Sequence, residues 1–147
     1  MLASDLMQTL KRFNDPDTDH DNSDGPTVVF LHANGYPPES YRLLLETVSR
    51  GATVYTVEHR PLWISEPAPK RLSWQIYADD LIATLDQSPL GAVWLLGHSM
   101  GAVISLLIAE RRPDLVRGLI AMDPVLLPRR LIWASRLLGL FSGDNMP

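Results

Sequence analysis

The 147 residues carry 13 basic and 17 acidic side chains, a net charge of −4, and 46% of them are hydrophobic, the size and content of one globular domain with a sizeable core. Mild acidity without a basic stripe argues against nucleic acid as a partner. The absence of cysteine excludes disulfides, thiolate metal sites and a cysteine nucleophile.

Residues 1–13 lack the unbroken apolar core of a secretory signal, and no stretch reaches the ~18 apolar residues of a membrane span, so a cytoplasmic location is expected. Leu2, Leu6 and Leu10 stand at helical spacing and predict a short amphipathic helix. Asn14 to Pro26 follows, with Asp15, Asp17, Asp19, Asp21 and Asp24 and almost nothing apolar: a solvated linker. Its carboxylates and His20 match no calcium-loop spacing, and no metal is expected there.

Thr27–Leu31 is apolar enough to be a strand covered on both faces. It leads into His32-Ala33-Asn34-Gly35-Tyr36-Pro37-Pro38, a tight loop. A helix is predicted from about Glu39 to Arg50, with Tyr41, Leu44, Leu45 and Val48 on one face and Gly51 as its stop. Thr53–Val57 reads as a second strand ending at Glu58-His59-Arg60-Pro61. A proline-fixed loop runs from Leu62 to Leu72. Ser73 is a predicted N-cap, with Leu72 stapling Tyr77, for a helix over 74–87 that aligns Trp74, Ala78, Leu81 and Leu85.

Val93–Leu96 reads as a third strand, apolar on both faces and therefore internal. A buried helix follows over 102–109 and closes at Arg112-Pro113. Gly118–Met122 is a fourth strand, running to Asp123-Pro124. The tail, 125–147, places Leu131, Ile132 and Leu138 on one possible helical face beside Arg129, Arg130 and Arg136. Such alternation predicts an α/β fold: a mostly parallel sheet with helices on both faces, three layers deep. Three segments are expected: 1–26, N-terminal helix and acidic linker; 27–124, the core; 125–147, a further region. His32, Asn34, His59, Ser99 and Asp123 all fall at or just past carboxyl ends of strands, the edge where such sheets bind ligands.

Between the third strand and its helix lies Gly97-His98-Ser99-Met100-Gly101. A sharp strand-to-helix turn needs glycines on either side of the serine, where a side chain would collide with the neighbouring strand or helix. The turn lifts the Ser99 hydroxyl above the sheet and sets the Met100 N–H at the positive end of a helix, ready to hold an oxyanion. This Gly-x-Ser-x-Gly run resembles the nucleophile elbow of the α/β-hydrolase family, and His32-Ala33-Asn34-Gly35 is similar to that family's His-Gly oxyanion loop. The resemblance spans about Pro26 to Pro124 and includes Arg112–Val116 and Asp123-Pro124. It implies that the strand at Val28–Leu31 and that at Leu119–Met122 flank the elbow strand, and that 125–147 begins a cap. It implies catalytic roles for Ser99 as nucleophile and for the Met100 and Asn34 N–H groups as oxyanion donors, with Ala33 the next candidate donor. A serine rather than the aspartate of epoxide- or halide-processing relatives implies acyl chemistry on an ester, thioester or similar small molecule, with no cofactor.

The family order of nucleophile, then acid, then histidine exposes a gap, because His20, His32, His59 and His98 all precede or adjoin Ser99. His32 and His98 are expected to shape loops. His59 could rebuild a triad only from an unusual strand, and Asp123 is either an acid in a less common position or a loop cap. The chain is thus expected to resemble the amino-terminal half of a serine hydrolase, truncated and catalytically incomplete, with an unpaired sheet edge able to self-associate. The other readings are a non-catalytic binding or partner-interaction module of the same fold, and a tail that lies on a membrane surface through Trp133, Leu137 and Phe141.

Overall fold

Short runs of β-branched and aliphatic residues make one five-stranded sheet in the computed structural model, which describes residues 10–13, 25–60 and 73–125. The strands are β1 (Leu10–Arg12), β2 (Thr27–Leu31), β3 (Thr53–Val57), β4 (Val93–His98) and β5 (Val116–Met122), in the spatial order β1-β3-β2-β4-β5. β2 to β5 are mutually parallel, and β1 runs antiparallel along β3 with Leu10 opposite Val57.

Three crossovers join the parallel strands. A 3₁₀ turn (Pro38–Tyr41) and helix α1 (Arg42–Ser49) carry β2 to β3; α2 (Trp74–Gln87) precedes β4; α3 (Met100–Arg111) and a 3₁₀ turn (Pro113–Leu115) carry β4 to β5. β2 pairs with β3 on one side and with β4 on the other, so the winding reverses between β2 and β4. The loops leaving those two strands diverge at that point and leave a crevice at the carboxyl edge.

The sheet has helices on both faces. On one, Val29, Leu31, Val57, Val93 and Leu95 meet Ala78, Leu81 and Leu85 of α2 and Ile104 and Ile108 of α3. On the other, Val28, Phe30, Val54 and Leu96 meet Leu45 of α1, with Leu44 and Val48 packed alongside. α3 is buried through most of its circumference, which explains its apolar sequence, and Ser105 satisfies its hydroxyl on the Gly101 carbonyl of its own helix.

The expected flanking of β4 by β2 and β5 holds. Several expectations are corrected. Leu10 belongs to an edge strand rather than a helix: its side chain packs on the core, and the ladder continues to Phe13, whose N–H donates to Val54 O at 2.8 Å. The rest of that predicted helix (1–9), the linker (14–24), the loop with Leu72 (61–72) and the tail (126–147) lie outside the described residues. The helix predicted from Glu39 opens instead as the 3₁₀ turn with Pro38 in its first position. Ser73 precedes α2 in extended conformation but makes no side-chain cap. β4 is internal, yet Trp94 is 39% exposed, and on β5 Ile120, the register partner of Leu96, is 54% exposed. The Trp94 ring lies against its register partner Gly118, where a Cβ would meet the ring carbons.

Candidate active site

The elbow forms where β4 is forced into α3 with no intervening loop. Ser99 takes up φ 52° and ψ −111°, a conformation that costs a non-glycine residue roughly 1–3 kcal/mol and persists only where its surroundings impose it. They do so here through bonds on both sides. The Ser99 N–H donates to Met122 O at 2.9 Å, tying the elbow to the end of β5, and the Ser99 carbonyl accepts from Ala102 N–H and Val103 N–H at 3.1 and 3.3 Å. A Cβ at Gly97 would sit 2.6 Å from Ala102 Cα, against α3; a Cβ at Gly101 would sit 2.6 Å from the Leu31 carbonyl carbon and 2.8 Å from His32 O, against the end of β2. Both glycines are therefore required by backbone that cannot move aside. Met100 opens α3, so its N–H lies at the positive end of the helix, next to the half-buried Ser99.

The facing loop leaves β2 with its first peptides held in place. The His32 ring is buried and neutral. Its Nε2 accepts the His59 N–H at 3.2 Å, which leaves Nδ1 as the donor to Ala33 O at 2.8 Å. Ala33 O also accepts the Tyr36 N–H at 3.2 Å, closing a turn whose φ of +77° at position 35 suits glycine. The Ala33 N–H is already engaged, donating to Tyr41 Oη at 3.2 Å. No acceptor among the described residues takes the Asn34 N–H. Of the two amides proposed from sequence for this loop, Asn34 is therefore the one with a free donor. Sequence reasoning placed Tyr41 only on the packing face of a helix and missed this hydroxyl.

The remaining candidate residues are fixed by their partners. His59 is 2% exposed, with its Nε2 donating to His32 O at 3.2 Å and its ring 4.2 Å from that of His32. Burial, reinforced by the neighbouring His32 ring, pushes the His59 pKa from 6.5 down to about 3. A neutral ring so enclosed and so weakly basic is a poor proton acceptor, which argues against a triad rebuilt through His59. His98 bonds Tyr41 Oη through Nδ1 at 2.7 Å, a contact with the turn after the facing loop. Asp123 is exposed, with φ 47°, immediately past Met122, the register partner of His98. It stands at the same edge as Ser99 in a left-handed conformation that aspartate tolerates. Behind the site, Arg60 grips Asp80 of α2 with two bonds of 2.6 Å, fixing the chain as it leaves β3. His20 lies outside the described residues, among which no cluster of histidine and carboxylate could hold a metal and no helix is long and apolar enough to cross a membrane.

Comparison with known proteins adds a family and a range of chemistries. A model of the alpha/beta hydrolase fold matches residues 26–144. A 2-(acetamidomethylene)succinate hydrolase of Mesorhizobium japonicum is 30% identical over 99 residues, covering 67% of this chain and 36% of that protein. An sn-1-specific diacylglycerol lipase of Mus musculus is 33% identical over 100 residues, 67% of this chain and 32% of that one. Among solved structures, an epoxide hydrolase from Vigna radiata superposes with a TM-score of 0.63 at 24% identity, over 78% of this chain and 40% of its own; at that identity the likeness shows the fold alone. The chain spans about a third of the length of these curated relatives.

Two outcomes follow from the geometry. Gly101→Ala forces a methyl into the Leu31 carbonyl and is expected to cost at least the ~1–3 kcal/mol typical of overpacking, read as a fall in the urea midpoint. The second concerns pH. His59 binds its proton far more weakly folded than unfolded, so between about 6.5 and about 3 the unfolded chain holds the extra proton, and stability falls as pH is lowered. The His32 pKa is also lowered, by burial, and acts in the same direction. The slope attributable to each ring is at most roughly 1.4 kcal/mol per pH unit. Thermal midpoints should drop from about pH 7.5 to about pH 4.5, and His59→Gln should flatten part of that dependence.

Proposed function

The chain belongs to the α/β-hydrolase fold family, and from that premise we propose that its carboxyl-edge site performs acyl chemistry, with Ser99 as nucleophile and the Met100 and Asn34 N–H groups as oxyanion donors. The observation that carries this reading is the juxtaposition at the winding reversal: a serine held at positive φ on a helix N-terminus, beside a loop whose Asn34 N–H is unclaimed among the described residues. In the proposed step the Ser99 Oγ attacks an acyl carbonyl carbon and its proton passes to a base. The carbonyl π electrons collect on the oxygen between the two N–H groups. When that oxygen restores its double bond, the leaving oxygen or sulfur departs with the electrons of the broken bond and takes the proton from the base, as an alcohol or thiol. A hydroxyl rather than a carboxylate at the elbow favours an ester or thioester substrate over an epoxide. No cofactor enters the step.

No histidine follows Ser99 in these 147 residues, and His59 is buried, neutral and engaged. On this reading the described residues hold nucleophile and donors without a base, and these alone give only the ~10³–10⁴-fold over water that an oxyanion hole and binding provide. The buried, engaged His59 supports the second reading, a non-catalytic module of this fold that binds a small molecule or a partner.

The test supplies the base from solution. The full chain is incubated with p-nitrophenyl acetate, with and without imidazole, and acetylated residues are mapped by mass spectrometry. One acetyl group is expected on Ser99, arriving faster with imidazole and absent in Ser99→Ala. A Ser99 that stays unmodified while lysines react would overturn the acyl reading in favour of the binding module.

A further inference from the structure

Resting on the acyl-transfer reading of the site, we infer that the Tyr41 hydroxyl is a positioning residue that holds the two oxyanion donors at a fixed separation by bridging the Ala33 N–H and the His98 ring. An amide N–H can only donate, so the Tyr41 oxygen accepts from Ala33 at 3.2 Å. Its own hydrogen is then free to be given to His98 Nδ1, 2.7 Å away, in the tautomer that carries the His98 proton on Nε2. One hydroxyl thus spans two segments far apart in sequence: the loop after β2, which carries Asn34, and the end of β4, one residue from Ser99 and two from Met100.

The ring that carries the hydroxyl is itself held. It packs on Phe30 of β2 at 4.7 Å between centroids and meets the His98 ring edge-on at 5.6 Å. Tyr41 closes the 3₁₀ turn and caps α1, so the hydroxyl is presented from an element anchored apart from both donors. On the other side of the same loop residue, Ala33 O takes the His32 Nδ1–H and the Tyr36 N–H. The Ala33–Asn34 peptide is planar and trans, so pinning its carbonyl sets the direction of the Asn34 N–H. The Tyr41 bond then sets where that peptide sits relative to the elbow. Oxyanion donors act only within a few tenths of an ångström of the oxygen they serve, so a bridge between the two donor segments bears directly on the rate of the covalent step.

The experiment compares wild-type chain with Tyr41→Phe, His98→Leu, the double variant and His98→Asn, whose side-chain oxygen can accept in place of Nδ1. Ser99 acetylation by p-nitrophenyl acetate with imidazole is followed by mass spectrometry across ester concentrations. In parallel the Ala33 amide is followed by NMR hydrogen exchange. Tyr41→Phe keeps the ring packing and removes only the bridge. It should slow the saturating acetylation rate about tenfold, less than the ~10²–10³ of losing a donor outright, while the half-saturating ester concentration stays within about twofold. The Ala33 amide should exchange faster. His98→Leu should slow acetylation similarly, the double variant no further than either single change, and His98→Asn should recover most of the rate. Wild-type acetylation rates in Tyr41→Phe, or fully additive losses in the double variant, would overturn the bridge while leaving the acyl reading intact. A wild-type Ser99 that takes no acetyl group would overturn both. Should Tyr41→Phe fail to fold, the comparison of His98→Leu with His98→Asn decides in the same way.

Discussion

The structure depends on one steric constraint, the direct contact of the start of α3 with β4 behind it and with the end of β2 beside it. Gly97 faces the backbone of Ala102, and Gly101 faces the carbonyls of Leu31 and His32, at distances that admit no Cβ. Because β4 enters α3 without a connecting loop, the turn must be made within one residue, and that residue is Ser99 at φ 52°. The strain is offset by bonds to Met122 of β5 and to the first turn of α3, so three elements fix one serine. The same contact brings the loop after β2 alongside the elbow, and the reversal of winding between β2 and β4 opens the crevice above them.

The loop side of that crevice is organised by polar groups that leave little freedom. His32 and His59 bond reciprocally: each uses one ring nitrogen on the other's backbone, Nε2 of His32 accepting from His59 N–H and Nε2 of His59 donating to His32 O. Both pKa values are lowered by burial, so near neutral pH the pair is uncharged and its tautomers are fixed by geometry. Two histidines at the mouth of a hydrolase-like site are thus built into the scaffold. Their hydrogen bonds orient backbone, and through the Ala33 carbonyl they orient the Asn34 amide proposed above as an oxyanion donor.

Most of the parallel core was legible in the amino acids. β2, β3 and the start of β4 are short apolar runs, and the three helices follow from the spacing of Leu44, Leu45 and Val48, of Ala78, Leu81 and Leu85, and from the continuous apolar run after Met100. The elbow was legible because its glycines have one physical reason to be there. β1 was not, since three residues leave no period to read and Leu10 fits a helix or a strand equally well; only the edge of β3 decides. The exposure of Trp94 was also hidden, because an apolar side chain carries no mark of whether a helix covers it. At the site, Ser99, Met100 and Asn34 stood out by motif. Tyr41 did not, since its ring serves the core and its hydroxyl serves the loop, and a periodicity argument sees only the ring.

The two margins of the described sheet differ in kind. On one, β1 is three residues long, carries Lys11 and Arg12, and runs against the grain of its neighbours; Lys11 is ion-paired to Glu58. On the other, β5 is seven residues long, with Leu119 and Ile120 near its centre, and among the described residues its outer side has no strand beside it. A strand edge of the first kind resists addition of another chain, and one of the second kind templates it.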